Sequence, residues 1–217
     1  MSKTALIVGS SGLVGSELLN MLTTSKDYDK VISIVRSSKV DSIEKIEEFI
    51  IDFNDLDQLI LPKIDDVFCC LGTTIKKAGS KEKFMQVDLE YVLSTGRLGL
   101  KNGATQLLVV SAVGADETSS FFYNRVKGEM ERKVQDLGFD SVYIFRPSML
   151  GGKRTEFRLG EKIGTFLMQL LGWLMIGKLK RYKIVSASKV ARHMIQSAQN
   201  SVAGNYFLES ENINNII

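Results

Sequence analysis

The chain has 217 residues, 44% of them hydrophobic and 24% charged, with a mean hydropathy of +0.03. That is enough apolar material for one sizeable core, and it is ordinary globular composition that argues against disorder. A formal net charge of +3, with no dense basic run, argues against nucleic acid as a partner.

Apolar, β-rich runs recur along the chain at Ala5–Val8, Val31–Val35, Phe49–Ile51, Val67–Cys70, Leu107–Val110 and Val142–Phe145. Segments with helical spacing lie between them. One stripe is Val14, Leu18 and Met21/Leu22; a second is Phe84, Val87 and Tyr91; a third is Val126, Met130, Val134 and Leu137. Strands that are apolar throughout, instead of alternating, suit a parallel sheet covered on both faces. The expected fold is therefore α/β: a doubly wound parallel sheet of Rossmann type with helices on both faces.

The last third differs. Residues 153–181 are basic and apolar, with a helix expected from about Gly160 to Ile176. A short strand (Lys183–Val185), a helix near Ser188 capped by Ser186 or Ser188, and a closing strand Tyr206–Leu208 follow. A stretch of about 65 residues holds little core of its own. It reads as a small C-terminal, substrate-side appendage, with 153–182 covering the cleft of a single domain spanning 1–217.

The two cysteines, Cys69 and Cys70, are neighbours on a strand and point to opposite faces, so packing is expected of them and not a bridge. The N-terminus runs straight into a glycine motif, without the apolar core of a signal peptide. The longest greasy stretch, Ile163–Ile176, is shorter than the ~20 residues of a membrane span. A cytoplasmic protein is the expectation. For 163–183, two readings stand: a helix capping the cleft or meeting a second copy in a homodimer, or an amphipathic helix in weak contact with an anionic membrane surface. His193 is the only histidine and has no acidic cluster beside it, so no metal site is expected.

The first strand feeds Gly9-Ser10-Ser11-Gly12-Leu13-Val14-Gly15, after which an amphipathic helix begins. Here Gly9 permits a tight turn, Gly12 a close backbone approach to a pyrophosphate, and Gly15 close packing of the helix. The helix N-terminus then offers free N–H groups and partial positive charge, and Ser10 and Ser11 add hydroxyls. The second strand ends in Arg36, followed by Ser37 and Ser38, where an NAD-binding chain would carry a carboxylate for the ribose. An arginine there suits the 2′-phosphate of NADP(H). Asp52, after the third strand, is placed to meet the adenine edge or to serve as a solvated turn carboxylate.

Tyr123-Asn124-Arg125-Val126-Lys127 is a Y-x-x-x-K whose ends share a helical face, and Ser111 closes the preceding strand. A lysine ammonium lowers the affinity of a phenol for its proton, and the tyrosine then exchanges that proton with a carbonyl or alcohol oxygen. Catalytic groups of open α/β sheets belong at those carboxyl ends.

Gly9–Gly15, Arg36, Ser111, Tyr123/Lys127 and Arg146-Pro147-Ser148 together resemble an atypical short-chain dehydrogenase/reductase. More narrowly, Cys70–Thr74, Val87–Val92, and Tyr123–Glu129 with Phe145-Arg146-Pro147 are similar to the Tat-interacting protein (TIP30/CC3) family and its bacterial relatives, over roughly residues 4–200. The resemblance implies NADP(H) along the glycine loop and Arg36, with Lys127 holding the ribose and Leu71, Gly72 and Thr73 lining the dinucleotide cleft. It also implies that Pro147, Ser148, Met149 and Leu150 present backbone groups to the nicotinamide. One departure is Ser111-Ala112, where relatives often carry Ser-Ser; if the second hydroxyl polarises substrate, this chain lacks it.

The expected function is an NADP(H)-dependent oxidoreductase acting on a small-molecule carbonyl or alcohol, with Tyr123, Lys127 and Ser111 catalytic. The alternative is an NADP(H)-sensing or partner-binding regulatory protein with little turnover. A sugar-nucleotide epimerase or dehydratase fits less well, because the C-terminal part is short.

Overall fold

The computed structural model describes residues 3–37, 44–151 and 184–214. Its elements run β1 (Lys3–Val8), α1 (Leu13–Thr24), β2 (Tyr28–Val35), β3 (Ile46–Ile50), a 3-10 turn (Phe53–Gln58), β4 (Asp66–Cys69), α2 (Ile75–Ala78) and α3 (Lys81–Met85). A π-helical turn (Gln86–Glu90) leads into α4 (Tyr91–Lys101), β5 (Gln106–Val110), α5 (Phe122–Gln135), β6 (Ser141–Arg146) and β7 (Leu150–Gly151). Beyond lie β8 (Val185–Ser186), α6 (Ala187–Gln199), β9 (Gly204–Glu209) and α7 (Ser210–Asn214).

The apolar runs become one seven-stranded sheet in the order β3-β2-β1-β4-β5-β6-β9, with every pair parallel. Successive side chains divide between its two faces. Leu6, Val8, Val67, Cys69, Leu107 and Val109 enter a core shared with α4 and α5, while Ala5, Ile7, Phe68 and Leu108 enter one shared with α1 and α6. Burying each large side chain contributes about 1.5–3 kcal/mol. This is the Rossmann-type doubly wound architecture expected from the runs. Cys69 and Cys70 are both free; Cys69 belongs to the first core and Cys70 packs on the second.

The structure departs from the expected elements in three places. The third strand is Ile46–Ile50, not Phe49–Ile51: it lies at the sheet edge, where Glu47 is exposed and Glu48 half-buried while their backbone pairs with β2. The short strand near residue 185 leaves the main sheet and pairs with β7. The stripe expected at Phe84, Val87 and Tyr91 changes phase at the π turn, which buries Asp88 and Leu89 in place of Val87. At α6 the cap is Ser186, whose side chain accepts from the Lys189 N–H at 3.3 Å. The cleft-covering segment 153–182 and the contact surface expected at 163–183 lie outside the described residues.

Candidate active site

Sheet order reverses at β1 and β4, and a crevice opens beyond their carboxyl ends. Gly9 occupies it with φ +89, and a Cβ there would lie 2.6 Å from the Cys70 carbonyl group. A Cβ on Gly15 would lie 2.1 Å from the Gly9 oxygen, so the partner that demands glycine at 15 is the loop backbone itself. That oxygen also accepts from the Gly12 N–H at 3.0 Å. Gly12 caps α1 without a side-chain hydrogen bond and without an acidic residue in the first turn, leaving the Leu13, Val14 and Gly15 end of the helix open. Ser10 corrects one expectation. Its hydroxyl turns inward to Ser33 on β2 at 2.9 Å, both buried, and is not offered to a ligand; Ser11 is exposed.

At the end of β2, Arg36 and Ser37 are exposed, and Ser38 lies outside the described residues. Arg36 is close enough to the Tyr91 phenol to act on its titration. Burial, Asp52 and Glu90 push that phenol up, and Arg36 opposes them. Asp52 is used differently from the expected adenine contact: its carboxylate accepts from both the N–H and the side-chain amide of Asn54, each at 2.9 Å, and so caps the 3-10 turn. Asn54 in turn accepts from Tyr91 (2.9 Å) and Gln86 (3.0 Å), joining this rim to the π turn. A single asparagine in a turn carries no sequence signal, and it was not among the expected site residues.

Tyr123 lies in the first turn of α5 and Lys127 one turn on, buried at 3% exposure. The Tyr123 ring packs on Phe84 of α3, 5.4 Å between centroids. Ser111 follows β5 directly; its N–H donates to the Phe145 carbonyl at 2.7 Å, and its buried hydroxyl has no hydrogen-bond partner among the described residues. An unpartnered buried hydroxyl is costly in a core and expected where a ligand completes it.

Asp88 supplies what spacing alone did not show. Fully buried in the π turn, it pairs with the Lys127 ammonium at 2.8 Å and accepts from the Thr73 N–H at 2.8 Å. Gly72 lies over this pair, where a Cβ would come 3.6 Å from the carboxylate and 4.0 Å from the ammonium. Burial pulls the lysine pKa down, but Asp88 and then Tyr123 outweigh it and hold Lys127 above the ordinary amine value. The signal available in the sequence was a carboxylate between Val87 and Leu89 on an otherwise apolar stripe.

Leu71 is buried beside the crevice, with Gly72 exposed and Thr73 half-buried. The segment 147–150 is less open than expected. Pro147 accepts from the Val113 N–H at 3.0 Å, the Ser148 N–H donates to Ser210 at 2.9 Å, and Met149 accepts from Val185 at 3.1 Å. Leu150 pairs in β7. The Pro147 and Met149 carbonyls and the Ser148 N–H thus already have partners inside the protein.

No family model matches the chain. It is 38% identical over 165 residues to protein HTATIP2 of Rattus norvegicus, covering 74% of this chain and 68% of that one. It is 30% identical over 215 residues to the mitochondrial protein FMP52 of Candida albicans, covering 93% and 90%. Among solved structures, MoeE5 in complex with UDP-glucose and NAD superposes with a TM-score of 0.70 at 17% identity, over 94% of this chain and 75% of MoeE5. A short-chain dehydrogenase family protein from Francisella tularensis superposes at 0.66 and 15% identity, over 98% and 99%. These structural likenesses establish the fold. The fungal relatives correct the expected location: several are named mitochondrial, against a cytoplasmic assignment.

Proposed function

The chain belongs to the family of HTATIP2 and FMP52, and on that premise we propose that it is an NADP(H)-dependent oxidoreductase acting on a carbonyl or alcohol. The observation that carries the reading is the buried, unpartnered Ser111 hydroxyl at the same end of the sheet as Tyr123 and Lys127. Relatives in fold that hold NAD support a nicotinamide dinucleotide.

The residues present fit such a group. The Gly9–Gly15 loop and the uncapped end of α1 suit a pyrophosphate, and Gly72 keeps the space over Lys127 and Asp88 clear of a side chain. Arg36, exposed where β2 ends, suits a 2′-phosphate, and no carboxylate takes that position. The cofactor, when bound, supplies or accepts hydride.

The chain's own residues handle the proton. In the reducing direction the Ser111 Oγ–H donates a hydrogen bond to the substrate carbonyl oxygen, and the Tyr123 phenol gives that oxygen its proton. Lys127, held charged by Asp88, stabilises the phenolate left behind. Oxidation runs the same path in reverse.

The test is NADPH oxidation across a panel of carbonyl compounds. Tyr123→Phe is expected to lower turnover at least a hundredfold while NADPH binds as before. Turnover that survives in this variant overturns the assignment of Tyr123.

A further inference from the structure

We propose that Asp88 is a positioning residue: it holds the Lys127 ammonium and the Thr73 N–H in one arrangement and takes up charge that Tyr123 would otherwise feel. The proposal rests on the reading of Tyr123 and Lys127 as the acid/base pair. Asp88 uses its two oxygens on two elements, Oδ1 on Lys127 of α5 and Oδ2 on the N–H that follows Gly72. One carboxylate thereby joins the loop beyond β4 to the lysine beside the tyrosine.

The local backbone is built for this. A π turn admits an additional residue into a helix and changes the phase of its inward face. Here that change brings a carboxylate to the interior at 0% exposure, flanked by Phe84, Leu89 and Val92, which otherwise fill the core. A regular helix keeping the stripe of Phe84, Val87 and Tyr91 would leave Lys127 buried without a counter-ion, a costly arrangement.

The electrostatic consequence follows from the neighbours. Around the ammonium stand Asp88 from the π turn, Tyr123 from its own helix, and the Cys69 thiol from β4. Burial pushes that thiol up to about 11, so it carries no charge at neutral pH. Facing the Tyr123 ring, α3 brings Phe84, with Lys81, Glu82 and Lys83 on the same element; Arg125 follows on α5. Asp88 is thus the anion in contact with the ammonium. Removing its charge exposes Tyr123 to the full Lys127 field, which favours phenolate.

The experiment titrates the Tyr123 phenol by ultraviolet difference in the full chain without cofactor or substrate, each variant read against its own Tyr123→Phe partner. In Asp88→Asn, which keeps an acceptor for Thr73, Tyr123 is expected to ionise about one pH unit or more lower than in the parent. Asp88→Glu is expected to return it to the parent value. An unmoved titration in folded Asp88→Asn, or a shift in Asp88→Glu as large as in Asp88→Asn, overturns the proposal.

Should Asp88→Asn fail to fold, the double variant Asp88→Asn/Lys127→Met replaces the ion pair with a neutral one that the core tolerates. Its Tyr123 is expected to titrate within about half a unit of the parent, whereas Lys127→Met alone titrates a unit or more higher. A double variant as displaced as Lys127→Met overturns the proposal. Because no cofactor or turnover enters the readout, failure here leaves the oxidoreductase reading to its own tests.

Discussion

Replacing Gly15 by alanine tests the geometry of the loop on which cofactor binding depends. The added Cβ would stand 2.1 Å from the Gly9 oxygen, 2.8 Å from the Gly9 carbonyl carbon and 2.9 Å from the Ser10 Cα. All three are backbone atoms, so no side chain can swing aside. Reaching even the 3.0 Å below which real Cβ contacts are essentially never found requires a movement of about 0.9 Å (3.0 less 2.1). The Gly12 N–H bond to the same oxygen is strained by that movement, at a cost of about 1 kcal/mol. Overpacking adds about 1–3 kcal/mol, and the better helix propensity of alanine returns about 1. The net loss of about 2 kcal/mol lowers Tm by about 4–8 °C for a chain of this length. Because the loop that moves is the one proposed to cradle the pyrophosphate, NADPH affinity should fall tenfold or more. Thermal melting with and without NADPH reads both effects. A Gly15→Ala protein that melts with the parent and binds NADPH equally would show that the loop accommodates a Cβ at this position and that its geometry does not govern binding.

Other positions give independent checks. A Cβ on Gly128 would lie 2.1 Å from the Glu117 nitrogen, so Gly128→Ala should lift the loop after Ser111 off α5 and lower turnover more than NADPH binding. Equal losses in steady-state rate and cofactor affinity would contradict that. Arg146 forms a two-pronged pair with Glu131, Nε donating to Oε1 at 3.0 Å and Nη2 to Oε2 at 2.5 Å, and the glutamate side chain is 3% exposed. Arg146→Met leaves that carboxylate uncompensated and should cost about 3–5 kcal/mol by denaturant unfolding, much of it recovered in Arg146→Met/Glu131→Leu. A single variant as stable as the parent would count against the pair. His193 is held below its usual value by burial, with Nδ1 unpartnered among the described residues and its ring edge-on to Phe145. It binds fewer protons folded than unfolded, so stability is full above about pH 6.5 and falls as pH drops through the lowered folded value, by about 1.4 kcal/mol per unit within that window. His193→Gln should flatten this slope, and since His193 is the only histidine, an unchanged slope would exclude it as the cause.

How far the sequence could be read follows from what periodicity encodes. Strands buried on both faces, such as Leu6–Val8 and Leu107–Val109, are nearly pure apolar runs, and their identity and parallel pairing were legible. The edge strand β3 was displaced, since Glu47 and Glu48 pair through backbone and hide the pattern. The π turn was not legible: it obeys no helical repeat, and the carboxylate it buries pairs with Lys127, 39 positions away in the chain (127 less 88). The glycine loop and the Tyr123/Lys127 pair were visible because motif and strand–helix context coincide. Which oxygens are already taken was not visible. Ser10 bonds to Ser33, Asp52 caps its own turn, and Pro147–Met149 spend backbone groups internally, all matters of three-dimensional partners.

Titrating the purified protein with NADPH and NADH in parallel, following nicotinamide fluorescence, with Arg36→Ala beside the parent, decides whether this fold holds the cofactor at all and which one it prefers. Tight NADPH binding is expected, with NADH weaker by tenfold or more and that preference lost in Arg36→Ala. Failure of the parent to bind either nucleotide would rule out a dinucleotide-dependent oxidoreductase.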